Sequence, residues 1–287
     1  MRYVTHPGPV AAQRSCTVDC NIRHVQTELP AGQALLPTMA SILEANRAKS
    51  AVARLRGGSF DPFAYYMPDV SKTPEHAAYY GGPYHPKGTV HLESASMTVG
   101  PRDSQPWLHC HGTWFDSSGQ RLAGHVLPND AVISKPITAS IWLLDGAAFE
   151  VAPSLETGFS LFRPVAVPGF TAETRSSFAM SICPNEDFCT ALEKECRARG
   201  ITRARVHGGV GSLVGTRFED GREVLPMETE VFIRDGLIST THEGDLAAMI
   251  DVTLVDHRGG INEGRLQRAE NAVLITFELL VEPLEYA

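Results

Sequence analysis

The stretch FDSSGQRLAG at residues 115–124 returns as VDHRGGINEG at residues 255–264, a shift of 140 positions (255 against 115). An earlier pair accompanies it, because ARLRGG at 53–58 returns as ARVHGG at 204–209. Each early motif follows a helical pattern, over 39–49 and 188–199, and each late motif leads into strand-forming residues, over 131–144 and 272–281. The sequence therefore predicts two tandem repeats of one α+β domain, in which a mainly antiparallel sheet packs on a helix.

The length of the chain supports this division, since 287 residues suit two domains of ordinary size. We expect an N-terminal extension at 1–30, a first domain at 31–150, a linker at 151–184 and a second, degenerate domain at 185–287. Prolines and glycine between 153 and 169 indicate the linker. The first repeat also carries an insertion, Asp61 to Pro86, with five tyrosines, which either contributes to a functional site or seals a subunit interface.

Charge and hydropathy exclude several classes of partner. The formal net charge is −8 and no block of Lys and Arg interrupts the chain, which argues against nucleic acid and anionic membranes. No stretch approaches the roughly 18 apolar residues of a membrane span, and the N-terminus lacks the apolar core of a signal peptide. We therefore expect a cytoplasmic protein. Six scattered cysteines are expected to be reduced thiols.

Three histidines lie on the hairpin that contains the first copy of the late motif. His109 and His111 alternate along a strand, so their side chains share one face about 7 Å apart. A three-residue loop ending at Gly119 pairs Asp116 with Gln120, and this register sets His111 opposite His125. Three neutral imidazoles suit a divalent ion, with Zn expected and Fe, Ni or Cu possible, and leave a coordination position open. A purely hydrogen-bonded histidine cluster is the alternative.

The second repeat offers an internal comparison with this hairpin. Its loop pairs Asp256 with Gly260, so Asp251 faces Arg265, and Met249 takes the position of His109. An Asp and an Arg in this arrangement form a cross-strand ion pair and are poor transition-metal ligands. The second repeat is thus predicted to have lost the site. It is either structural or supplies Arg205, His207 or Arg265 to a composite pocket.

These motifs resemble the plant and prokaryote conserved domain (PCC/DUF296). The features that carry the resemblance are Arg56-Gly57-Gly58, His109-Cys110-His111, the Asp116 to Gly119 turn and Gly124-His125. It covers roughly 31–150 and, with degraded histidine positions, 185–285. The resemblance implies an α+β domain with a mainly antiparallel sheet and a packed helix, in a homo-oligomer, usually a trimer, with the histidine site near subunit boundaries.

The same resemblance bears on nucleic acid binding. Plant members carry AT-hooks and a Gly-Arg-Phe-Glu-Ile-Leu-like strand, features that accompany their annotation as DNA-binding proteins. This chain has neither, and its corresponding strand reads GTVHLE at 88–93. With the negative net charge, these departures argue against nucleic acid as a partner.

The leading hypothesis is a metal-dependent enzyme of hydrolase or lyase type that acts on a small anionic metabolite. Arg54 and Arg56, beside two glycines, are candidates to clamp a carboxylate or phosphate, and Arg163 is a further candidate contact. Glu93, assisted by His91, is the candidate general acid or base. All of these could equally be solvated strand residues. The alternatives are a DNA-binding or ligand-sensing regulator with a structural metal, and a non-catalytic assembly protein.

Overall fold

A computed structural model of the chain describes residues 1–169 and 177–284. Within these ranges there are two helices, α1 (Leu35–Ala45) and α2 (Phe188–Ala198). The strands are β1 (Ser15–Leu29), β2 (Ala51–Arg56), β3 (Ser59–Phe60), β4 (Tyr65–Asp69), β5 (Tyr79–Tyr84), β6 (Val90–Arg102), β7 (Gln105–Phe115), β8 (Arg121–Val126), β9 (Ile133–Lys135), β10 (Ile137–Asp145), β11 (Ala147–Pro153), β12 (Ser160–Ala166), β13 (Ser177–Ile182), β14 (Arg203–Leu213), β15 (Thr216–Arg217), β16 (Glu223–Val224), β17 (Thr229–Thr240), β18 (Leu246–Asp256), β19 (Ile261–Arg265) and β20 (Val273–Pro283).

The two halves of the chain repeat one strand order, which confirms the predicted α+β tandem repeat. In the first half the hydrogen-bonded order is β10, β2, β6, β7, β8, and in the second it is β20, β14, β17, β18, β19. All of these pairings are antiparallel. Each half adds one helix, α1 immediately before β2 and α2 immediately before β14, and each helix packs its apolar side chains into the core of its own repeat.

The helices begin and end close to the predicted positions, with one informative difference. Helix α1 begins at Leu35, four residues before the predicted start at 39, so that Pro37 lies in its first turn. Proline is tolerated there because the first backbone N–H groups of a helix have no intrahelical acceptor. The helix ends before Arg47, which takes a left-handed conformation with φ of 53°. In the second repeat Asp187 caps α2 by accepting a hydrogen bond from the backbone N–H of Thr190.

Strand β1 joins the two repeats into one long sheet. Its first part pairs with β13 and its second part with β10, both antiparallel. In the described part of the chain this sheet contains sixteen strands. The sheet also folds back on itself, because β6 and β7 of the first repeat pack against β14 and β17 of the second. The histidine hairpin therefore lies between two layers of sheet.

The tyrosine-rich insertion forms the hairpin of β4 and β5. Strand β4 adds to the edge of the first repeat beside β8, where Tyr66 lies directly opposite His125. This pairing holds Tyr66 over the face that carries the histidines, whereas Tyr65 packs into the core on the other face. None of the helices among the described residues combines the length and apolarity required to cross a lipid bilayer.

Candidate metal centre

The hairpin of β7 and β8 has the register predicted from its loop. The N–H of Asp116 donates to the carbonyl of Gln120 at 3.0 Å, and Gly119 has a φ of 83°, the left-handed conformation that glycine adopts without strain. One carboxylate oxygen of Asp116 accepts the N–H groups of Ser118 and Gln120, both at 2.9 Å. These contacts fix the turn, and with it the pairing of His111 with His125.

The three imidazoles of this hairpin converge, and we call His109, His111 and His125 the histidine cluster. The Nε2 atoms of His109 and His111 are 2.9 Å apart. The Nδ1 atom of His125 lies 3.3 Å from the Nε2 of His111. His111 is fully buried, whereas the other two rings are partly open to a neighbouring cavity. The predicted triad thus forms a single group of ring nitrogens.

Two hydrogen bonds from the second repeat assign the tautomers of this cluster. The backbone carbonyl of Val231 lies 2.9 Å from the Nδ1 of His111, and a carbonyl can only accept, so this Nδ1 carries the proton. A carboxylate oxygen of Glu278 lies 2.8 Å from the Nδ1 of His109 and assigns it in the same way. In the neutral rings, which are the form that binds a metal ion, both Nε2 atoms then carry lone pairs that are directed at each other. A carboxylate or carbonyl behind a histidine is the usual support for a metal-ligating imidazole.

A fourth ligand atom comes from Glu230, at the start of β17 in the second repeat. Its Oε2 atom lies 2.6 Å from the Nε2 of His111. The ligand atoms of Glu230 and the histidine cluster all lie within 4.8 Å of one another. A carboxylate oxygen and two imidazole lone pairs at these distances repel unless a cation or a proton lies between them. Three nitrogens and one oxygen form a donor set that suits Zn, Fe, Ni or Cu.

The titration behaviour of the cluster is set by burial and by these carboxylates. Burial lowers the pKa of His109, but Glu278 and Glu230 outweigh it, so the pKa lies above its ordinary value. Burial, together with the neighbouring His109 and His111, holds the pKa of His125 well below its ordinary value. His125 therefore remains a neutral imidazole at physiological pH, which is the state that binds a metal ion.

A cavity of about 620 Å³ opens beside the cluster, and we call it the aromatic cavity. His109, His125 and Glu278 line one end of it. Its walls come from the insertion, from β6 and β7, from the segment after β8 and from the hairpin of β11 and β12: Tyr66, His76, Tyr79, Tyr80, Gly82, Arg102, Trp107, Leu108, Leu127, Pro128, Val151, Gly158, Phe159, Ser160, Leu161 and Phe162. Three of the five tyrosines of the insertion, Tyr66, Tyr79 and Tyr80, therefore contribute to the surroundings of the cluster within one chain.

The other sequence candidates lie away from this cavity. Arg54, Arg56 and Glu93 line a separate cavity of about 270 Å³ between the repeats, the arginine cavity, together with Arg121 and Arg234. Glu93 accepts a hydrogen bond from Arg121 at 2.8 Å, and Arg54 donates to the carbonyl of Val206 at 3.1 Å.

Two further candidates are also remote from the cluster. His91 is exposed on β6 beside the backbone of β3. Arg163 lies on β12 opposite Glu150 and lines a small cleft with Cys183. The structure thus brings together the three predicted metal ligands, and it does not bring the predicted acid, base or clamp residues to them.

The second hairpin has the predicted ion pair. Arg265 donates to Asp251 at 3.0 Å, and the two residues face each other across β18 and β19. Arg205 pairs with Asp235, while His207 stacks on Trp142 with ring centroids 4.2 Å apart. None of these side chains lies in the cavity beside the cluster. The second repeat reaches the cluster through Glu230 and Glu278 instead.

Glu230 and Glu278 are the functional candidates that the sequence analysis missed. An alignment of the two repeats could have drawn attention to Glu230. Phe115 and Val255 are equivalent in the two repeats, and the residues opposite them on the neighbouring strands are His91 and Glu230. The two are therefore equivalent positions of the two repeats. No local pattern indicates Glu278, which lies inside the apolar closing strand β20 and is almost completely buried.

Comparison with known proteins gives matches only among solved structures. No protein-family model matches the chain, and no curated protein matches it. One similar structure is a plant- and prokaryote-conserved (PPC) protein from Pyrococcus horikoshii, with 16% identity, a TM-score of 0.41, and coverage of 55% of this chain and 100% of that one.

Two other neighbours carry different descriptions. A metal-containing protein from Archaeoglobus fulgidus has 17% identity and a TM-score of 0.39, with 56% of this chain and 99% of that one covered. A protein from Ralstonia eutropha, described provisionally as DNA-binding, has 15% identity and a TM-score of 0.35, with 48% and 88% covered. Each neighbour spans about half of this chain.

Proposed function

We propose that this protein is a metal-dependent enzyme that acts on a small anionic metabolite by hydrolysis or elimination. The observation that supports it is the convergence of two lone-pair Nε2 atoms, the Nδ1 of His125 and a carboxylate oxygen within 4.8 Å beside an open cavity. In this proposal His109, His111, His125 and Glu230 hold one divalent ion. When bound, the ion supplies Lewis acidity to an oxygen of the substrate.

Two groups of the second repeat position these ligands. Glu278 and the carbonyl of Val231 keep the protons of His109 and His111 on Nδ1, so that both Nε2 atoms face the ion. Four protein donors with a further position for substrate require an ion that accepts five or six ligands, whereas a purely tetrahedral site would be closed. The open side faces the aromatic cavity, because His109 and His125 line its end.

Two measurements test this function. Protein purified without a histidine tag is expected to contain about one divalent ion per chain, and the His109→Ala, His111→Ala double variant is expected to contain almost none. Metal-loaded protein should turn over one or more members of a panel of small carboxylate esters, lactones and hydroxy acids, and metal-stripped protein should not. Absence of metal in the untagged wild-type protein would reject the proposal.

The alternative function has its own readout. A regulator with a structural metal would retain the ion, show no turnover, and bind random duplex DNA at low salt with an affinity that falls steeply as salt rises. The formal net charge of −8 favours the enzyme over this alternative.

A further inference from the structure

The aromatic cavity has one wall built from stacked rings. Tyr66 stacks on Tyr80 with ring centroids 5.1 Å apart, and Tyr80 meets His125 edge-on at 5.2 Å. Tyr79 stacks on Phe159 at 5.8 Å, which continues the wall away from the histidine cluster. All of these residues line the cavity. The wall thus offers ring faces and ring edges next to the metal centre.

A positive charge, that of Arg102, also lines the aromatic cavity. The guanidinium of Arg102 stands over the ring of Trp107, 5.1 Å from its centroid. Its carboxylate neighbour among the described residues is the highly exposed Asp103, at 4.0 Å, which is a weak partner. Trp107 and His109 are two residues apart on β7 and both line the cavity, so their side chains project from one face with about 7 Å between them.

The aromatic cavity therefore combines the histidine cluster, a wall of rings and a guanidinium. We propose that it binds a carboxylic acid with one aromatic ring, whose carboxylate pairs with Arg102 and whose second oxygen group, at the far end of the ring, faces the histidine cluster. This inference rests on the proposed function and names its substrate class. A volume of about 620 Å³ is within the range of pockets for such ligands.

Aromatic and saturated rings are distinguished by this wall. Offset-stacked and edge-on ring pairs contribute about two- to tenfold in affinity beyond the burial of apolar area. A cyclohexyl ring fills the same volume without these contacts. A straight-chain dicarboxylate would engage Arg102 and the metal centre but would leave the ring wall without a partner. The cavity is thus expected to prefer the aromatic acid over both.

Four probes test this preference by calorimetry and by intrinsic tryptophan fluorescence. They are 3-(4-hydroxyphenyl)propanoate, its cyclohexyl analogue, 4-propylphenol, which lacks the carboxylate, and the straight-chain dicarboxylate adipate. The full chain is used in its zinc-loaded and metal-stripped forms. We expect the aromatic acid to bind about two- to tenfold more tightly than the cyclohexyl analogue and about tenfold more tightly than 4-propylphenol. Equal affinity for the cyclohexyl analogue, or binding of adipate in preference to the aromatic acid, would overturn the inference.

Matched variants locate the carboxylate. Arg102→Gln is expected to weaken the aromatic acid about tenfold and to leave 4-propylphenol unchanged. The control is Arg56→Gln, an exposed arginine of the separate arginine cavity, which should change neither. Because the side chain of Arg102 is 45% exposed, its replacement should not disturb folding, and an unchanged thermal midpoint verifies this. An Arg102→Gln protein that binds the aromatic acid as tightly as wild type would contradict the assignment.

The metal-stripped form separates this inference from the proposed function. The ring wall and the guanidinium of Arg102 are present without the ion. The metal-stripped protein should therefore still prefer the aromatic acid over its two analogues, at lower affinity. If no metal binds and the preference persists, the proposed function fails and the cavity assignment stands. If metal binds and the preference is absent, the cavity assignment fails alone.

Discussion

The two late-motif hairpins, β7–β8 and β18–β19, have the same backbone conformation and carry different side chains. Asp116 and Asp256 start loops of the same type, each closed by a glycine with a φ of 83° or 82°, and each sets one pair of side chains at equivalent positions. In the first hairpin that pair is His111 and His125, and in the second it is Asp251 and Arg265. The first pair is inward-facing and joins a buried cluster, whereas the second forms a partly exposed ion pair.

The contrast shows how a duplicated domain can divide its tasks. The second repeat retains the hairpin scaffold without the imidazoles, yet it supplies Glu230 and Glu278 to the imidazoles of the first. Glu230 stands where the first repeat has His91, so the equivalent position is a surface residue in one copy and a ligand candidate in the other. Each repeat alone would hold an incomplete site.

The largest expected difference between the hairpins is in metal content. His111→Ala removes the central ligand and should reduce bound metal from about one ion per chain to nearly none. Asp251→Ala, at the equivalent position of the second repeat, should leave the metal content unchanged. Elemental analysis of both variants after identical dialysis decides the matter, and an equal loss in both would show that the hairpins are not functionally distinct.

Glu230 and His91 provide the next comparison. Glu230→Gln should raise the dissociation constant of the metal by roughly ten- to a hundredfold, as losses among ligands and their supports generally do. His91→Gln at the equivalent exposed position should have no effect. Competition with a chromophoric chelator measures both constants. An unchanged constant in Glu230→Gln would remove the second repeat from the ligand set.

The N-termini of the two helices differ in capping, and this difference should affect the stability of the protein and not its metal binding. Asp187 caps α2 and also accepts the N–H of Asn271 at 2.9 Å, while Ala34 at the start of α1 has no side-chain cap. Asp187→Ala should lower the free energy of unfolding by about 2 kcal/mol, because a cap and a buried hydrogen bond are lost. Ala34→Ser should raise it by up to about 1 kcal/mol. Urea unfolding monitored by circular dichroism measures both changes.

The two loops should respond equally to one substitution. Gly119→Ala and Gly259→Ala each force a side chain into the left-handed region, at a cost of about 1 kcal/mol. No heavy atom lies within 4 Å of a Cβ built at Gly119, and only Met67 approaches one at Gly259, so backbone strain dominates in both. Thermal denaturation should give matching shifts. A much larger loss at Gly119 would mean that the histidine hairpin depends on its loop more than the second hairpin does.

The smallest effect is expected at the ion pair itself. Asp251→Asn should reduce the free energy of unfolding by about 0.5 kcal/mol or less, because both partners are partly exposed and water screens their attraction. The loss should shrink further in 1 M salt. A loss well above 1 kcal/mol that persists in salt would show that this ion pair stabilises the fold more than a screened surface pair does.

Much of the architecture and three of the four ligand candidates were accessible from the amino-acid sequence. The repeated motifs predicted two α+β copies, and the loops at Asp116 and Asp256 predicted both cross-strand pairs, because hairpin register depends only on residues close in the chain. Helix α1 begins four residues before the predicted start at 39, and Pro37 lies in its first turn, where proline is tolerated.

Only the tertiary structure decided which distant residues meet the histidines. Glu230 and Glu278 reach them because two layers of sheet pack face to face, and no periodicity in the sequence encodes that contact. The same packing leaves Arg54 and Glu93 in another cavity, since two strand spacings of about 4.8 Å separate Arg54 from His111 across the sheet. Local hydrogen bonding determines the register within each hairpin. The burial of apolar faces against each other determines which strands of the two layers come into contact.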